Sequence, residues 1–62
     1  MNGFFQQLLA DPDEDVRLAA TEALGRERSP GTIPALQIAL ADRSKWVRRA
    51  AEQGIAAVLA AR

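Results

Sequence analysis

Four acidic residues stand almost side by side at Asp11, Asp13, Glu14 and Asp15, and paired carboxylates are a common means of general acid–base chemistry. Such work needs one carboxyl set among apolar groups. Only Pro12 interrupts this run, which suits instead the positive N-terminal end of a helix. The glycine and distal glutamate of a calcium loop are also missing. Thr21, Ser29, Thr32 and Ser44 carry hydroxyls, but with no His and no Cys there is no Ser–His or Cys–His pair and no imidazole or thiolate for a metal. Gly25 and Gly31 follow no strand, so they form no phosphate loop. The expectation is a protein that is not an enzyme and needs no cofactor.

What remains is the chemistry of recognition. Trp46 is the only tryptophan, and Arg49 and Gln53 follow it one and two helical turns on. Trp and Arg are the types most enriched at interface hot spots. Arg17 and Arg48 each come directly after a Val and each follows a turn containing an aspartate, Asp11 or Asp42. A guanidinium fork on a buried stem that bonds such an Asp is a structural device, so Asp11, Arg17, Asp42 and Arg48 are read as holding the fold together.

These residues repeat. Gln6-Gln7-Leu8-Leu9-Ala10-Asp11 aligns with Gln37-Ile38-Ala39-Leu40-Ala41-Asp42, and Val16-Arg17-Leu18-Ala19-Ala20 aligns with Val47-Arg48-Arg49-Ala50-Ala51 at the same offset, without a gap. That offset also pairs Phe5 with Leu36, Ala23 with Gly54 and Leu24 with Ile55. It places Asp15, Leu18 and Glu22 where Trp46, Arg49 and Gln53 stand, giving two parallel ridges.

The elements that carry the ridges are helical. Phe5, Leu8 and Leu9, then Val16, Ala19, Ala20, Ala23 and Leu24, recur at three- and four-residue steps, and no segment alternates in the manner of a strand. Asp11-Pro12-Asp13-Glu14 predicts the start of a second helix, with Asp11 as its N-cap and Pro12 at the first helical position. Gly25 marks the approach to its end. Ser29-Pro30-Gly31-Thr32 breaks the chain before a third helix capped by Ser29 or Thr32, and Asp42 is expected to cap the fourth.

Those strings, Leu9-Ala10-Asp11 with Val16 to Gly25 and Leu40-Ala41-Asp42 with Val47 to Ala51, resemble the short HEAT-like repeat of phycobilisome chromophore lyases and many bacterial proteins. The resemblance covers nearly the whole chain. It implies an all-α fold of two stacked helical hairpins, a piece of α-solenoid, with repeat one over residues 2–28 and repeat two over 29–62 of a single domain. It also implies a protein–protein interaction or scaffolding module whose concave face is lined by the second helix of each pair. The protein-binding candidates are then Asp15, Leu18, Glu22, Trp46, Arg49 and Gln53. The lyase branch offers the alternative of a non-catalytic part of a chromophore-attaching protein, and a designed or excised repeat is another. Gly54, an Ala in the first repeat, is expected to weaken its helix by about 1 kcal/mol.

With 62 residues the chain has a marginal core, since a domain near sixty residues buries only about 60% of its unfolded surface. Thiols and imidazoles being absent, association is the route left to added stability. Stacked repeats generally need about three for independence, so a fragment or a unit completed by assembly is expected. Gln7, standing where repeat two has Ile38, suggests a finished polar N-terminal end, with Ile38 packed on repeat one. Val58 and Leu59 align with Glu27 and Arg28, and the last turns of the fourth helix are apolar on almost every side, so Val58 and Leu59 are read as self-association residues of a homo-oligomer. Eight basic residues balance eight acidic ones, which disfavours nucleic acid even with Arg26, Arg28, Lys45, Arg48 and Arg49 as a basic rim. The opening residues form no signal peptide, and the longest apolar stretch, 54–61, is too short to span a bilayer. A cytoplasmic protein partner is the expectation.

Overall fold

A computed structural model describes the backbone of residues 3–61 and the side chains of residues 6–61. Phe5 therefore has no described side chain, and its place in the apolar stripe lies outside the described residues. The chain runs α1 (Gly3–Leu8), α2 (Glu14–Glu27), a 3-10 turn (Pro30–Thr32), α3 (Ile33–Ala39) and α4 (Lys45–Ala60). Two helical hairpins, α1–α2 and α3–α4, stack on each other, and the most extensive helix pairing is α2 against α4. The fold is all-α, and the described residues contain no strand. No helix among them is long and apolar enough to cross a membrane.

The helix starts are set by side-chain oxygens, two residues later than the sequence suggests. Asp11 accepts the Asp13 amide at 2.8 Å, and it is Asp13 that caps α2 by accepting the Asp15 amide at 2.8 Å. The second hairpin repeats the arrangement: Asp42 accepts the Ser44 amide at 2.8 Å, and Ser44 caps α4 by accepting from Trp46 and Val47. Asp11 and Asp42 are thus turn residues rather than caps. Each closes an Asx turn that delivers the true cap. Ser29 caps the 3-10 turn through the Gly31 amide, while the Thr32 hydroxyl donates to the Ser29 carbonyl, so α3 starts without a side-chain cap. At the far end of α2 the left-handed residue is Arg28 (φ 53°), not Gly25.

Gly25 and Gly54 instead make the helix crossing. A Cβ built on Gly25 would lie 2.9 Å from the Gly54 Cα, and one built on Gly54 would lie 3.0 Å from the Gly25 Cα and 3.2 Å from Leu36 Cδ2. Neither glycine has a positive φ, so space and not conformation selects them. Gly54 is accordingly a packing residue, and its cost in helix propensity is set against a backbone approach that no other residue permits.

The largest fully buried side chains are Leu24, Leu36, Val47, Val58 and Thr21, with Ala20, Ala35, Ala39 and Ala51 filling between the helices. Equivalent residues of the two repeats differ in burial. Val47 is fully buried against repeat one, whereas its counterpart Val16 is only half-buried, because the face of α2 that carries it has no repeat packed on it. Ile38 corrects a further expectation: at 63% exposure it does not pack on repeat one. Helix α3 turns Ala35, Leu36 and Ala39 inward, and Ile38 stands two residues, or about 200°, from Leu36. Gln7 is likewise exposed, so the Gln-to-Ile exchange says nothing about which end of the stack is finished.

Candidate functional site

Arg17 is 4% exposed and holds the two repeats together at their polar end. Its Nε donates to Asp42 Oδ2 at 2.9 Å and its Nη2 to Asp42 Oδ1 at 3.3 Å, a two-pronged pair across the repeat boundary. Its Nη1 donates to the carbonyls of Asp11 and Pro12, at 2.9 and 3.1 Å, within its own repeat. Burial pushes the Asp42 carboxyl up, but the Ser44 amide, the Arg17 guanidinium and the Arg43 charge outweigh it and hold the group below the usual carboxylate range. Arg48 copies the intra-repeat half of this arrangement, its Nη1 donating to the Asp42 carbonyl at 2.7 Å. The sequence places Asp11, Arg17, Asp42 and Arg48 together, and the structure does the same. It adds one contact missed from sequence: the Ser44 hydroxyl donates to the Glu14 carboxylate across the same boundary. A cap residue opposite an acidic first turn is the only signal that could have found it.

On the neighbouring surface α2 and α4 run side by side, and the close Gly25–Gly54 crossing leaves a groove between their flanking side chains. The groove, about 600 Å³, has Gly25, Ala50, Gly54 and Ala57 at its floor and Glu22, Arg26, Arg28 and Gln53 at its sides. It continues into a smaller hollow of about 290 Å³ lined by Leu18, Glu22, Trp46, Arg49 and Gln53 with Ala50. Five of the six residues expected to form a binding face therefore surround one hollow. Asp15 does not join them; it borders a different recess, with Leu8, Val16, Ala19 and Ala20. The small residues of the floor were not legible as site residues, since alanine and glycine announce a groove only once the helices beside them are placed.

Trp46 is 53% exposed, with Lys45 Nζ 5.1 Å and Arg49 Cζ 5.5 Å from its ring centroid. Both lie within the ~6 Å reach of a cation–π contact. The indole is thus steadied by cations without being covered. Arg48, by contrast, has its Nη1 tied to the Asp42 carbonyl.

The two self-association candidates separate. Val58 is 2% exposed and belongs to the chain's own core, so it offers nothing to a second molecule; Leu59, 49% exposed, does. One residue of helix rotates a side chain by about 100°, enough to carry Val58 into the core and leave Leu59 outside. At the opposite end of the stack, the recess of about 290 Å³ beside Val16 is bounded almost wholly by apolar atoms. Among the described residues, that end of the stack therefore presents an apolar recess.

A family model described as HEAT repeats matches residues 2–56. No curated protein and no solved structure matches the chain. The match covers well over half of the sequence and agrees with the paired, stacked hairpins: the chain belongs to the HEAT repeats family.

Proposed function

Taking a pair of HEAT repeats as the premise, we propose that this protein is a protein-interaction module that docks a partner segment along the α2–α4 groove. The observation that carries the reading is the continuity of the groove with the Trp46 hollow, a small-residue floor ending at an exposed, cation-flanked indole. A flat aromatic anchor beside an open slot suits an extended or helical segment with an apolar residue for the Leu18–Trp46 hollow and acidic residues for Arg26, Arg28 and Arg49. A protein segment fits better than a bilin because the groove is an open channel with charged sides, and ligand pockets are enclosed and mostly apolar. A nucleic acid is disfavoured by zero net charge.

We also propose that the chain self-associates through the end of the stack that carries Leu59, half-exposed beside the partly buried Ile55.

The docking reading is tested with peptides selected from a random library against the full chain. Trp46→Ala and Arg49→Ala are each expected to weaken selected binders by about tenfold or more, at unchanged helicity, and the emission of Trp46 should shift on binding. Selected binders indifferent to both substitutions would place recognition elsewhere.

A further inference from the structure

Two polar contacts cross the repeat boundary, Arg17 to Asp42 and Glu14 to Ser44, and each has an unmatched counterpart at an outer end of the stack. Carried forward by the repeat offset, Glu14 and Arg17 become Lys45 and Arg48. The positions that meet them, Asp42 and Ser44, correspond backward to Asp11 and Asp13. One end of the molecule therefore shows two cations where the other shows two carboxylates, at positions that touch each other inside the chain.

Both ends are also already in the conformation the junction uses. Arg48 Nη1 is tied to the Asp42 carbonyl as Arg17 Nη1 is tied to that of Asp11, while Arg48 Nε and Nη2, the atoms with which Arg17 grips its carboxylate, find no acceptor among the described residues. Asp11 Oδ1 is held by the Asp13 amide at 2.8 Å, as Asp42 Oδ1 is by the Ser44 amide at the same distance. The apolar surfaces correspond in the same way. Val47 and Leu24, buried at the internal boundary, match Val16, which opens on the N-terminal recess, and Ile55, which is only partly buried beside exposed Leu59.

We propose that the occupant of these two faces is a second copy of this chain, stacked head to tail so that Lys45 and Arg48 of one molecule meet Asp13 and Asp11 of the next. The proposal rests on the self-association reading above and adds which surfaces meet. Two different faces make a heterologous contact, which propagates into an open row unless rotation closes it. The internal Gly25–Gly54 approach is replaced at this junction by Ala56 and Ala23, so the helices stand farther apart than inside the chain and the association is weak and concentration-dependent. Lys45 and Asp13 are exposed in the free chain and Arg48 and Asp11 partly so, and their attraction across the junction is screened by salt.

Sedimentation equilibrium of the full chain is the test. Its average mass is expected to climb with concentration without levelling at a dimer, and less steeply at about 1 M salt, where the Debye length is ~3 Å. Arg48→Asp and Asp11→Arg should each be monomeric alone and associate when mixed, because the mixture restores an Arg48–Asp11 junction. Circular dichroism checks that both remain helical. Exposed Lys45→Glu, which cannot disturb the core, and Asp11→Asn, which keeps the Oδ1 that the turn needs, should each weaken association by roughly tenfold. A wild-type chain that stays monomeric at every concentration overturns self-association altogether. A chain that associates, but whose Lys45 and Asp11 variants associate equally well or whose mixed variants gain nothing over either alone, overturns head-to-tail stacking and leaves self-association through Leu59 standing.

Discussion

Arg17 and Asp42 sit almost out of water, their side chains 5% and 10% exposed, in a setting where an ion pair helps only if every charge is fully bonded. Four of the five Arg17 N–H groups are bonded, to both carboxylate oxygens of Asp42 and to two carbonyls, and Asp42 also takes the Ser44 amide. No buried side-chain nitrogen or oxygen among the described residues is left without a partner. Folding lowers the pKa of Asp42, so the folded chain binds that proton less readily than the unfolded one. Its contribution is therefore complete above the ordinary carboxylate value of about 3.9 and is lost as the pH falls through the lower folded value. The urea midpoint is expected to be level between about pH 7 and 5 and to drop below about pH 4. Asp42→Asn should begin lower at neutral pH and show a shallower acid limb; an identical limb would show that Asp42 does not drive the acid transition.

At the scale of elements, the α2–α4 crossing is where sequence propensity and packing conflict. Alanine is a better helix former than glycine by about 1 kcal/mol, which taken alone makes Gly25→Ala and Gly54→Ala stabilising. The added methyl would meet backbone at 2.9–3.0 Å, and backbone cannot rotate out of the way as a side chain can. Gly25→Ala is therefore expected to destabilise by about 1–3 kcal/mol, read from denaturant unfolding, as the helices separate and Leu24 and Leu36 lose contact. A gain in stability would mean that the crossing can open without loss. The same separation would widen the groove floor, so peptide binding and stability should change together.

At the scale of the whole molecule, nine apolar residues are buried among the described residues; four are alanine, and the remainder are Leu9, Leu24, Leu36, Val47 and Val58. Alanine buries little area, so the apolar area these residues remove from water is modest. A second copy that binds only the folded form raises stability by mass action. The thermal midpoint is thus expected to rise with protein concentration, and Lys45→Glu should move that rise to roughly tenfold higher concentration without lowering the dilute midpoint, since an acidic residue suits the first turn of α4. A midpoint constant over a hundredfold range of concentration would show a pair of repeats stable by itself.

The sequence by itself determined the helices, the breaks between them and the repeat, because three- and four-residue stripes, Asp-Pro and Pro-Gly breaks and a fixed offset are local or self-referential. The structural role of Arg17 and Asp42 was legible for the same reason, a fork and a carboxylate recurring at equivalent positions, and so was most of the Trp46 hollow. Only the tertiary structure decided which copy of a repeated residue is buried. Val47 and Val16 are the same residue at the same repeat position, yet one is sealed and the other open, since burial depends on whether another repeat packs on that face. Val58 went inward and Ile38 outward because a rotation of one or two residues about a helix decides between core and solvent, a resolution that apolar content does not have. The same holds for Asp13 and Ser44, which took the capping roles that Asp11 and Asp42 could equally have filled until the turns were folded.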